Sequence, residues 1–152
     1  MTFRSFRRGY ERVLEWICIA IMAALAAEVT AGVVFRYSGH SLVWYDEVAT
    51  ILLAWVTFYG SALAVLKHAH MGVPEIVRML PPGARVAAAV FAQLCTMAFF
   101  VLLAWVGYSI LEILASDRLV SLPEVSEAYA ISVIPIGAVL FVAGQLLVFP
   151  EV

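Results

Sequence analysis

The chain has 152 residues, of which 64% are hydrophobic and 13% charged, where a soluble domain carries about half and a quarter. With a mean hydropathy of +1.00 and its apolar residues gathered into long runs, it reads as an integral membrane protein of one domain, 1–152. A net charge of -2 argues against nucleic acid as a partner. Cys18 and Cys95 both fall inside apolar runs, which leaves no disulfide framework or Cys-rich metal site and casts both as small packing residues.

Four apolar stretches, 13–35, 48–66, 86–114 and 130–149, are each long enough to cross a bilayer as a helix, because a span needs about 20 residues at 1.5 Å rise. The third would be roughly 43 Å long if wholly helical, so it must tilt or project. The expected fold is therefore all-α with four transmembrane helices. Orientation follows from the basic residues in the short connections. Arg4, Arg7, Arg8 and Arg12 precede the first span, and Lys67, Arg78 and Arg85 lie between the second and third, whereas the other side has only Arg36 and Arg118. The tendency of positive loops to stay cytoplasmic places both termini inside, with loops 36–47 and 115–129 outside.

The first span follows basic residues and contains Ala24-Leu25-Ala26, a pattern that resembles a cleaved signal. The apolar run resumes after Glu28 and continues to Phe35, which favours a retained span. Glu28 is the acidic residue well inside a span, and such a group is a functional candidate by default. It could carry a proton or cation. It could equally fix a helix contact through Ala20, Ala24, Ala31 and Gly32, its small neighbours at helical spacing.

The second span opens with Trp44-Tyr45-Asp46-Glu47. Acidic residues suit a first turn, where free amides and the helix dipole present partial positive charge. Two of them, beside aromatic headgroup anchors, also suit a contact surface for another protein. Asp46, Thr50, Thr57, Gly60, Ala64 and Lys67 then line one side of the helix, while Trp44, Ile51, Trp55 and Phe58 fall on another. The small and hydroxylated face has the composition of a helix-helix contact, and the aromatic face suits lipid or a partner groove, although packing within the chain would also account for both.

His68 and His70 follow at i and i+2. They point to opposite sides of a helix and lack further ligands, so a helix-end role is expected and no metal site. With His40 they lie in loops or at span ends, which also disfavours a haem anchor. Val73, Ile76, Val77 and Leu80 recur at helical spacing with Glu75 and Arg78 opposite, so a short amphipathic helix is expected on the cytoplasmic membrane surface between spans two and three. Pro81-Pro82-Gly83 ends it. Pro135 and Gly137 interrupt the fourth span and predict a kink. No phosphate loop, nucleophile triad or pair of buried carboxylates is present, so an enzyme is not expected.

Arg36-Tyr37, Trp44 with Asp46-Glu47, Trp55, Phe58-Tyr59-Gly60, His70, Leu80-Pro81 and Pro135-Ile136-Gly137 occur in this order, and together they resemble the small membrane subunit (the DctQ-like small permease) of TRAP, tripartite ATP-independent periplasmic, transporters. Pro74 and Glu75 depart from the acidic-then-hydrophobic pair more usual there. The resemblance implies a non-catalytic bacterial inner-membrane subunit without cofactor that scaffolds a large permease. That permease would carry the sodium coupling and take up an organic acid, a carboxylate, from a periplasmic substrate-binding protein. On this reading Arg36, Trp44, Asp46, Glu47, Trp55, Phe58, Gly60 and His70 are partner-interface candidates, with Glu28 an intramembrane polar group. The alternative is a small homodimeric multidrug exporter that uses Glu28 to exchange protons for cationic drugs.

Overall fold

The computed structural model describes residues 3–67 and 81–148, which are almost entirely helical. The helices are α1 (Phe3–Tyr37), α2 (Tyr45–Leu66), α3 (Pro82–Leu114), α4 (Glu127–Ile131) and α5 (Val133–Val148). Four segments are long and apolar enough to cross a membrane: Arg7–Tyr37, Tyr45–Leu66, Gly83–Leu114 and Glu127–Val148. His68, His70 and the amphipathic stretch 73–80 lie outside the described residues.

The helices form a row. α2 and α5 pack together at its centre, α1 lies against α2, and α3 against α5. Two ends can be distinguished: a terminal end with the start of α1 and the end of α2, and a loop end with loops 38–44 and 115–126. The buried cluster of Leu14, Ala62, Val65, Leu66, Phe141 and Val148 lies towards the terminal end, with Phe100 of α3 stacked on Phe141 at 3.5 Å between ring centroids.

The helix α1 begins well before its apolar run because its basic first turns have partners on α2. Arg7 donates to the carbonyl of Leu66 at 2.9 Å, capping the carbonyl end of α2 where a cation is favoured. Glu15 pairs with Lys67, and the hydrogen bond to that carboxylate raises the lysine's pKa. Tyr10 reaches past α2 to donate to Leu140 at 2.8 Å. The far end of α1 closes on Gly39, whose φ of +80° permits the paired bonds His40 N–H to Phe35 O and Gly39 N–H to Arg36 O. This is a Schellman stop.

Against α2, α1 presents a heptad seam. Arg7, Glu11, Leu14, Cys18, Ile21, Leu25, Glu28 and Gly32 recur at alternating spacings of four and three, and all are buried or half-buried. Ala20 and Ala24 are exposed, so the contact at Glu28 follows this seam rather than the alanine stripe. Cys18 is buried in the seam as expected of a packing residue, whereas Cys95 is exposed on α3.

The fourth span breaks at Ser132, three residues before the proline. Pro135 has no N–H to give the carbonyl of Ile131, and its ring crowds that carbonyl, so the helix is interrupted one turn upstream. The break sits where neighbours come closest. A β-carbon on Gly107 would lie 3.0 Å from both Ile134 Cγ2 and Pro135 Cδ, and one on Gly137 would lie 2.6 Å from Cβ of Phe58. The two glycines bring α3 and α2 against opposite sides of the broken span.

Candidate functional site

The opening of α2 carries the densest set of sequence-predicted residues, and its two acids part company. Glu47 turns towards loop 115–126, and its carboxylate accepts from the backbone N–H groups of Ser121 at 2.8 Å and Val120 at 3.1 Å. Ser121 Oγ completes the join by donating to Val43 O at 3.4 Å. The loop so fastened is itself ordered. Leu119 N–H donates to Val125 O, Glu127 N–H donates to Asp117 O, and Arg118 and Ser126 form an antiparallel bridge. Ser126, 9% exposed, gives its hydroxyl to Ala115 O and accepts from Ala128 N–H, capping α4. Asp46 is exposed, and its carboxylate makes no hydrogen bond or ion pair among the described residues.

The aromatic residues of α2 face inwards. Trp55 Nε1 donates to Ala130 O at 3.1 Å, in the turn that Pro135 disturbs, and its ring meets Tyr59 edge-on at 6.3 Å. Phe58 packs on Gly137. Of the readings open for the aromatic side, lipid, a partner groove or packing within the chain, Trp55 and Phe58 follow the last, because the break in the fourth span offers a carbonyl to bond and a glycine to pack against. Trp44 is half-buried beside Tyr45, whose ring closes on Gly32 of α1.

The small and hydroxylated side of α2 is left open. Asp46, Thr50, Leu53, Thr57 and Lys67 are exposed, Gly60 and Ala64 half-buried, and a β-carbon on Gly60 would meet nothing within 4 Å. Thr50 and Thr57 return their hydroxyls to Asp46 O and Leu53 O of their own helix, each at 2.8 Å, so the ridge presents no unsatisfied donor. Arg36 is exposed in the last turn of α1, where the helix dipole favours it. Structure thus joins Glu47, Trp55 and Phe58 to intramolecular contacts, and leaves Asp46, Gly60 and Arg36 on the surface.

Glu28 lies in the α1–α2 seam, where its Oε1 is buried and makes no hydrogen bond among the described residues. No group of three or more metal-ligating side chains occurs among the described residues. Sequence reasoning missed the fastening of the loop by Glu47. Its targets are backbone amides, which any residue supplies, so only the acid itself left a trace in the sequence.

The sequence matches the family model of the DctQ component of tripartite ATP-independent periplasmic transporters over residues 25–149. It is 35% identical over 82 residues to a Haemophilus influenzae protein named as a TRAP transporter small permease, an alignment covering 52% of this chain and 50% of that one. The chain therefore spans about half the length of that relative. It is 24% identical over 147 residues to the sialic acid TRAP transporter small permease protein SiaQ of Vibrio cholerae, covering 96% of this chain and 84% of the relative. It is also 26% identical over 127 residues to the sialic acid TRAP transporter permease protein SiaT of Haemophilus influenzae, covering 83% of this chain and 20% of that longer one. With most of its length matched and four helices able to span a membrane, the chain belongs to the DctQ family, the small permease component of TRAP transporters.

Proposed function

We propose that this chain scaffolds the large permease subunit of a TRAP secondary transporter, and that the open ridge of α2 is the face that docks it. One observation carries the reading: the ridge from Asp46 through Thr50, Thr57 and Gly60 to Ala64 has the small-residue composition of a membrane helix contact, yet among the described residues no side chain or backbone lies within 4 Å of a β-carbon placed on Gly60 at its middle, and Asp46, Thr50 and Thr57 are exposed. The alignment with one-fifth of the longer SiaT permease supports a close association between this chain type and a larger membrane part. Asp46 and Arg36 supply polar contacts at the rim of the docking face, with Trp44 at headgroup level. Glu47, Trp55 and Phe58 act through position, holding α2 against the loop and the broken span so that the ridge stays presented.

In this reading the terminal end is cytoplasmic, in the inner membrane, because the basic residues gather there. The stretch 73–80 lies as a surface helix on that side, near His70. The transported solute is an organic acid, a carboxylate, delivered by a periplasmic binding protein to the loop end. Sodium coupling belongs to the large subunit. The rival exporter reading rests on Glu28, whose place in the seam between α1 and α2 of one copy favours a packing role.

The deciding experiment is a mild-detergent pull-down of the tagged chain from its native membrane, with wild type beside Gly60→Trp and Asp46→Lys. Recovery of a large permease in roughly equal amount by the wild type, and its loss with Gly60→Trp, is the expected result. Recovery of self-dimers alone, with proton-coupled export abolished by Glu28→Gln, would overturn the proposal.

A further inference from the structure

The helix α3 is the most exposed element, and one stretch of its surface differs from the rest. Trp105, Tyr108, Ser109 and Glu112 follow at i, i+3, i+4 and i+7, so they share one face over the last three turns. They line an open cavity of about 360 Å³. Trp105 is 76% and Tyr108 63% exposed. Ser109 gives its hydroxyl back to Trp105 O at 3.1 Å. Glu112 is exposed and has no hydrogen-bond or ion-pair partner among the described residues.

Nothing in the helix itself explains that acid. A carboxylate in the last turn meets the negative end of the helix dipole, where a cation is favoured, and α3 has no basic residue in its last turn. None of the described cations at this end forms an ion pair with Glu112. Arg118 donates to Glu124 O, and Arg36 ends α1, at the opposite edge of the row from α3. Two aromatic faces beside an unpaired carboxylate form a receptor for an organic cation, and Trp with Tyr near a span end marks the depth of lipid headgroups.

We propose that this groove binds the primary ammonium headgroup of a zwitterionic phospholipid, phosphatidylethanolamine. Glu112 neutralises the ammonium, while Trp105 and Tyr108 hold it through cation–π contact and flank the first part of the acyl region. A lipid suits the place better than a protein cation, because the face continues below Trp105 into Leu102, Val101 and Leu94, large apolar side chains exposed along α3. The small-residue surface suited to close helix approach is on α2 instead.

The test is native mass spectrometry of the full-length chain, released from nanodiscs holding phosphatidylethanolamine and phosphatidylglycerol in equal amount. Wild type retains phosphatidylethanolamine over phosphatidylglycerol by at least about fivefold. Glu112→Gln brings the ratio close to one, Trp105→Leu lowers it, and Glu112→Asp, which keeps the charge, preserves most of it. Equal retention of the two lipids by wild type overturns the proposal, as does an unchanged preference in Glu112→Gln. Loss of a co-purifying protein from Glu112→Gln, with the lipid preference intact, overturns it in favour of a protein cation.

Discussion

A β-carbon at Gly137 would come within 2.6 Å of the β-carbon of Phe58, whereas one at Gly60 would touch nothing. Both glycines belong to the pattern by which the sequence resembles its family, yet they face different surroundings. Gly137→Ala forces α2 and α5 apart at a point where neither backbone can yield easily, and should cost about 1–3 kcal/mol. Gly60→Ala leaves the fold unchanged or makes it up to about 1 kcal/mol more stable, since it removes the conformational freedom of a mid-helix glycine. Thermal unfolding of the two variants in one detergent measures the difference, and equal effects would contradict the packing described. Glu47 invites a similar comparison with its neighbour. Replacing Glu47 with Ala frees the Val120 and Ser121 amides, so hydrogen exchange in loop 115–126 quickens severalfold. Asp46→Ala leaves exchange there unchanged. Lys67 adds no pH sensitivity near neutrality. Its pKa is raised by Glu15, so the stabilisation is fully present below the ordinary lysine value and is lost only as pH rises through the raised one.

At the scale of elements, the seam of α1 makes a prediction about Glu28. A buried carboxylate oxygen with no hydrogen bond among the described residues costs roughly 1–3 kcal/mol, and its position in a heptad of otherwise mostly apolar residues suits Leu. Glu28→Leu should raise the melting temperature of the detergent-solubilised chain and leave solute uptake intact. Lower stability together with lost uptake would mean that the carboxyl performs a task in transport. Hydropathy alone reveals the four spans, because a run of about 20 apolar residues has few other uses, and Pro135 announces the interruption of the last one. The start of α1 is not legible in that way. Its first turns are charged, and what makes them helical is remote: the carbonyl of Leu66, the ammonium of Lys67 and the carbonyl of Leu140. The inward turn of Trp55 and Phe58 is hidden for the same reason, since it depends on Ala130 and Gly137 being next door. Periodicity separates the faces of α2 correctly but cannot say which of them the chain itself covers.

For the molecule as a whole, the row of helices leaves 10429 Å² accessible, where a compact protein of 16.6 kDa would expose about 7,600 Å². Lipid accounts for large apolar side chains such as Phe91, Leu94 and Leu102 on α3, but a ridge of small residues gains less from lipid than from close contact with another helix. A partner that binds the folded chain alone must stabilise it by mass action, by about 2.7 kcal/mol at a concentration one hundred times its dissociation constant. For a chain of this size that corresponds to a rise of about 5–10 °C in melting temperature. Co-purified with its large subunit, the wild-type chain should show such a rise over the chain alone. Thr57→Trp should abolish the rise while leaving the melting temperature of the isolated chain unchanged, since Thr57 is exposed and its hydroxyl bonds back to Leu53 O of its own helix. Leu102→Trp, a change at a residue also exposed but on α3, should retain it. If the α3 variant were the one to lose the rise, the docking face would lie on the other edge of the row, and the α2 ridge would face lipid.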